Sequence, residues 1–273
     1  MSFQPVVAFT GLAGWAQLKR TSAEQMQRFA ASGAMARDAD YFRAHIGSVS
    51  TAADLVADRR LLSVALGAFG LEGDISNRYF IRKVLEDGTL SPDAIANKLS
   101  DKRYLKLSKA FGFGDFATPR TKLSDFADGM LASYRTASFE AAIGKQSSEL
   151  RLALNAEREL PGIASGKGSE NGKWYAIMGS APLRQMFQTA FGLPQPFVRL
   201  PLDQQLSTFK AASERYLGTG NPAALGSDET RERLIRLFLA RSESSPTSSD
   251  LAGRNAALTL LSGSAKSGLS RLI

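Results

Sequence analysis

The stretch "LGAFGLEG" (Leu66 to Gly73) recurs as "SKAFGFGD" (Ser108 to Asp115) and as "QTAFGLPQ" (Gln188 to Gln195). Read backwards from its glycine, each copy returns to a side-chain oxygen: Asp58 in "DRRLLSVALGAFG", Asp101 in "DKRYLKLSKAFG" and Ser180 in "SAPLRQMFQTAFG". Asp and Ser at an N-cap accept hydrogen bonds from the orphan amides of a first helical turn. Pro182 falls in the first turn of the third copy, where its missing N–H costs little. Gly70, Gly112 and Gly192 suit the position just past a helix end, which takes a left-handed backbone. Leu71, Phe113 and Leu193 are expected to fold back onto Leu66, Leu107 and Phe187 and complete the stop. The phrase therefore predicts three capped helices of about three turns each, and not three phosphate cradles.

Each copy follows a shorter helical signal. "TAADLVA", opened by Thr51, precedes Asp58; "SPDAIANKLS", opened by Ser91, precedes Asp101; "KWYAIMG" precedes the third. The spacing of these pairs is too irregular for a solenoid. Elsewhere the apolar period is helical. "SAEQMQRFAASGAMARDADYFRAHIG" opens on a Ser22…Gln25 capping box, and "SNRYFIRKVLEDG" carries Phe80, Ile81, Val84 and Leu85. The longest signal, "SDFADGMLASYRTASFEAAIGKQSSELRLALNAEREL", keeps Phe139, Ile143, Leu150 and Leu154 on one face, with a possible break at Gly144. "DQQLSTFKAASERYLG" groups Leu206, Phe209, Ser213 and Tyr216, and "SDETRERLIRLFLAR" places its acids first and its arginines later, as a helix dipole favours. "PFVRLP" is too short and too proline-bound for a strand. The fold class is all-α, an irregular multi-helix bundle of short-helix/capped-helix pairs. Residues 1–20 read as an N-terminal arm, 21–241 as the helical domain and 242–273 as a Ser/Gly-rich tail with one weak helix around Leu251 to Leu261. "PGIASGKGSENGK" (Pro161 to Lys173) reads as a polar loop.

With 273 residues, the chain buries enough surface to need no covalent staple, and it has no cysteine. Thiolate chemistry and disulfides are excluded with it. The lone histidine, His45, would have to serve any catalytic triad, yet no partner is specified by spacing, so it reads as a core-edge residue. "GFGDFA" and "GTGNPA" spell a loose dinucleotide fingerprint, but each follows a helix where the chemistry needs a strand. "GKGSENGKW" misses the Walker spacing, and Ser207/Lys210 lacks the further motifs of acylating enzymes. Glu157 and Glu159 read as an exposed pair with nothing to raise a pKa. The expectation is no catalytic, cofactor-binding or metal residue.

A formal charge of +8 favours an anionic partner. The densest cluster is "KLSDKRYLKLSK", with Lys98, Lys102, Arg103, Lys106 and Lys109 against Asp101. Lys102, Lys106 and Lys109 share one helical stripe and are the candidate contact for an anionic partner. The plainer reading is a solvated face opposite Tyr104, Leu107 and Phe111, which makes nucleic acid the less favoured partner. No apolar run is long enough to span a bilayer, and the N-terminus lacks the early basic residue of a signal peptide.

"YFRAHIGSVSTAADLVADRRLLSVALGAFGL", then "FIRKVLEDGTLSPDAIANKLSDKRYLKLSKAFGF", "FEAAIGKQSSELRLALNAEREL" and "WYAIMGSAPLRQMFQTAFGLP", in this order, resemble a bacterial domain-of-unknown-function family, number 1217. The likeness runs from about Tyr41 to Tyr216. It implies an all-helical fold and genes that often lie among flagellar genes in alphaproteobacteria, with no established activity or ligand residue. The expected function is therefore a non-enzymatic structural, assembly or accessory protein of the flagellar system, meeting motility proteins through protein contacts. Its expected location is the cytoplasm, or export with the flagellar apparatus. The apolar arm (Phe3, Val6, Val7, Phe9, Trp15) and the tail are candidate contact surfaces. The alternative is a basic helical module binding nucleic acid or an acidic partner.

Overall fold

The computed structural model describes residues 3–244, and the tail helix expected around Leu251 to Leu261 lies outside them. Among the described residues there are α-helices and 3-10 turns and no strand. The helices are α1 (Gly11–Ala30), α2 (Gly33–His45), α3 (Ala52–Ala57), α4 (Arg59–Ala68), α5 (Arg78–Asp87), α6 (Ile95–Lys98) and α7 (Lys102–Phe111). Then come α8 (Phe126–Gly144), α9 (Ser148–Ser165), α10 (Glu170–Gly179), α11 (Ala181–Phe191), α12 (Leu202–Leu217) and α13 (Asp228–Ser244).

The three repeated phrases end helices as their sequence predicts. Gly70, Gly112 and Gly192 hold φ of 69°, 68° and 65°. The Leu71 amide reaches the Leu66 carbonyl and the Leu193 amide the Gln188 carbonyl, both at 2.9 Å, which closes two Schellman stops. The middle copy uses the simpler left-handed stop, Gly112 N–H to Ser108 C=O at 2.8 Å, and Phe113 stacks on Phe111 at 5.3 Å. At the opposite ends, Asp58 accepts from the amides of Arg60 and Leu61, and Asp101 accepts from that of Arg103. Thr51 and Asp54 form a reciprocal capping box on α3. Ser180 makes no side-chain cap bond, leaving Pro182 to set the first turn of α11.

Packing and side-chain bonds override local signals in three places. α1 starts at Gly11 and runs through Ser22, because Trp15 and Leu18 are buried and the indole N–H donates to Glu232 at 3.1 Å. The second half of the expected arm is thus helix, and the expected helix from Ser22 to Gly47 is two, broken at Ala31 and Ser32. α9 continues through Pro161 to Ser165, since Leu160 and Ala164 are buried; the expected loop shrinks to the few residues before α10. Ser91 does not open α6, whose Ile95 amide is capped by the Asp87 carboxylate at 2.6 Å. "PFVRLP" forms a 3-10 turn at Gln195–Arg199. Gly144 does end α8, as its position suggests.

The apolar faces close on two cores. One gathers Phe42, Leu55, Leu62, Leu66, Ile81, Val84, Leu107 and Phe111 from α2 to α7. The other centres on Trp174, Phe187 and Phe209, with the two phenyl rings stacked at 6.0 Å and the indole N–H donating to Gly220 C=O at 2.9 Å. α8 belongs to both: Met130 and Leu131 enter the first, Phe139 and Ile143 the second, and Tyr134 packs against each. At the joint, α4 approaches α8 so closely that a Cβ on Gly67 would lie 2.7 Å from the Tyr134 ring. That contact needs glycine.

Candidate functional site

The predicted lysine stripe is on α7, opposite buried Tyr104, Leu107 and Phe111. Its cations are mostly engaged within the chain. Lys106 pairs with Glu159 of α9, Lys102 donates to the Asn97 carbonyl at 2.8 Å, and Lys109 is exposed with no ion pair among the described residues. Nearby, Lys98 pairs with Asp93 at 2.9 Å, while Arg103 pairs with Asp101 and donates to Gly70 C=O.

Lys106 joins a charge chain that braces the two cores. Arg158 of α9 donates to both oxygens of Glu140 on α8, at 2.6 and 3.0 Å, and also pairs with Glu159. Burial pushes the Glu159 carboxyl up, but the Lys106 and Arg158 cations outweigh it and hold the group below the usual glutamate range. The expectation of an exposed pair fails for Glu159, whose side chain is 18% exposed. Glu157 lies 3.8 Å from both Lys19 and Arg231.

The start of the chain is tied to the body by three glutamines. Gln25 bonds both the N–H and the C=O of Val6, Gln146 spans Val7 N–H and Pro5 C=O, and Gln17 accepts from Ala8 N–H. Phe3 and Val7 pack on the core, whereas Val6 and Phe9 stay exposed.

The glycine motifs are structural. In "GFGDFA", Gly114 abuts Gly88 so closely that a Cβ would meet its backbone at 2.5 Å, and Asp115 accepts from Thr89 and Leu90 amides. In "GTGNPA", Gly218 ends α12 and Asn221 caps the next 3-10 turn. Ser169 of "GKGSENGKW" caps α10. Ser207 donates to Gln204 C=O and Lys210 pairs with Glu170, so that motif is split between local partners. His45 is exposed on α2, not at the core edge; its ring stacks 4.0 Å from Tyr41. The Tyr41 hydroxyl donates to Asp58 at 2.7 Å, which raises the phenol, while Arg60 lies 4.0 Å over its ring. No cluster of three or more His, Asp or Glu side chains could hold a metal among the described residues.

Two surfaces could meet another molecule. The first is the proline-bound segment after α11. Phe197 anchors it 5.3 Å from Phe209, and the Gln205 amide pins Val198 C=O and Leu200 C=O at 3.2 and 2.8 Å. Val198, Leu200 and Leu202 nonetheless stand 46%, 41% and 55% exposed. The second is an open cleft of about 390 Å³ lined by the phrase residues Phe69 and Ala110, by Arg120, Leu123, Asp125 and Phe126, and by Gly129, Met130 and Ser133 of α8. The three phrase glycines do not line it. Sequence reasoning missed both surfaces; the crowding of apolar residues between Pro194 and Leu202 was the available signal for the first.

A family model described as "Protein of unknown function (DUF1217)" matches residues 68–214. The crystal structure of Protein AGR_C_984 from Agrobacterium tumefaciens is similar, with a TM-score of 0.66 and 28% identity over 86% of this chain and 96% of that one. No curated protein matches the chain.

Proposed function

The chain belongs to the DUF1217 family of proteins of unknown function, and from that footing we propose that it is a non-enzymatic structural, assembly or accessory protein of the bacterial flagellar system, working through protein contacts. The flagellar gene context implied by the family resemblance supports the setting. One observation carries the mode of action. Val198, Leu200 and Leu202 present apolar side chains from a segment that Phe197 and Gln205 hold in place. Scattered exposed apolar residues are ordinary, but three within five positions, from a pinned turn to the first residue of α12, form a preordered contact whose burial costs little further entropy. Residues of the flagellar apparatus or its assembly machinery are the proposed counterpart. No described helix is long and apolar enough to cross a membrane.

The test is genetic. Deleting the gene is expected to reduce swimming in soft agar and to change the number of filaments per cell, and an intact copy restores both. Normal swimming and normal filament counts in the deletion strain overturn the proposal. A copy carrying Leu200→Asp with Leu202→Asp, expected to fold because both side chains are exposed, should fail to restore swimming.

A further inference from the structure

We propose that the cleft between the ends of α4 and α7 and the start of α8 receives an apolar side chain of a partner polypeptide, seated between an acidic and a basic residue of that partner. The proposal deepens the protein-contact reading above and rests on it.

Three observations converge on this cleft. Its lining is mixed, with apolar side chains from Phe69, Ala110, Phe126 and Met130. Its rim carries one charge of each sign: Arg120, whose guanidinium lies 5.2 Å over the Phe116 ring, and Asp125. Among the described residues neither of these charges has an ion pair, so a partner's opposite charges could pair with both without breaking an internal bridge. Gly129 supplies the third observation. It sits inside α8, where a glycine is less favourable than alanine. Among the described residues nothing lies within 4 Å of where its Cβ would be, so their packing does not ask for glycine there. An absent side chain on the cleft floor lets an incoming group approach the helix backbone.

A small zwitterion could satisfy Arg120 and Asp125, but the apolar surface does not stop at the cleft. Leu123 of the lining is 56% exposed, and Phe116, outside the lining and beneath Arg120, is 47% exposed. Covering them takes a polypeptide, with an acid toward Arg120 and a base toward Asp125.

The experiment pans the purified full chain against a phage-displayed random peptide library. Enriched peptides are expected to carry an aromatic or aliphatic residue with an acid and a base within about one helical turn of it. Their affinity should fall at least tenfold on Gly129→Leu, which fills the floor, and on Ser133→Trp, which fills the cleft from an exposed rim position. Gly129→Leu should melt no lower than the parent, because leucine replaces glycine in a helix facing open space. No enrichment, enrichment without that charge pattern, or undiminished binding to both variants overturns the cleft as a docking site. In cells the two readings separate. A deletion strain that swims poorly beside a Gly129→Leu strain that swims normally overturns the cleft and leaves the flagellar role standing. Normal swimming in the deletion strain overturns the flagellar role, and the peptide measurement then decides the cleft alone.

Discussion

Gly70 and Gly192 show how a single residue type acquires opposite values in one chain. Both hold positive φ at helix ends, where a Cβ crowds the following carbonyl, so Gly70→Ala and Gly192→Ala are each expected to destabilise by about 1 kcal/mol. Gly162, by contrast, lies inside α9 with nothing among the described residues within 4 Å of its Cβ position. Gly162→Ala should therefore stabilise by about 0.5 to 1 kcal/mol, through helix propensity alone. Urea melts of the three variants check the signs; a loss at Gly162 as large as at Gly70 would refute the backbone explanation. The stops were legible because a left-handed residue is a local demand that sequence writes openly. The start of α1 was not. Ser22 offers a sound local cap, yet Trp15 and Leu18 bury themselves a turn or two earlier, and that gain is decided by partners on α8, α9 and α13 that lie far along the chain.

Between elements, the chain of charges from Lys106 through Glu159 and Arg158 to Glu140 joins α7, α9 and α8. Glu140 is 8% exposed on its side chain, so Arg158→Ala leaves a carboxylate with little access to water and is expected to cost about 2 to 3 kcal/mol. Glu159 gives the same network a pH signature. Its folded carboxyl is held below the ordinary value, so its contribution to stability is fully present above about pH 4.3 and is lost as pH falls through the folded value. The stability gap between the parent and Glu159→Gln should shrink as acid is added below about pH 4.3. A gap that stays constant down to pH 2 would show that Glu159 is not held by these cations. Helical spacing alone placed Lys102, Lys106 and Lys109 on one face, and they are there. It could not show that Lys106 faces Glu159, because that pairing depends on how α9 crosses α7 in space.

At the scale of the whole molecule, α8 runs through both cores, and α2 also reaches each, with Met35 in one and Phe42 in the other. Fold class was readable because the helical apolar period recurs along the chain and several helices carry their own caps. The cleft was not, because Phe69, Ala110, Arg120 and Gly129 come from four separate segments and meet only when α4 and α7 end beside α8. That same convergence makes the joint a test of whether the cores fold as one. Gly67→Val drives a branched side chain into the Tyr134 ring, and Tyr134 packs against both cores. Overpacking of this kind costs about 1 to 3 kcal/mol. Both tryptophans, Trp15 and Trp174, report on one core, while amide exchange along α5 reports on the other. If α8 couples the cores, Gly67→Val lowers the fluorescence midpoint and the exchange protection of α5 together. If only α5 loses protection while the tryptophan transition stays in place, the cores unfold independently, and α8 is a tether between them instead of a shared wall.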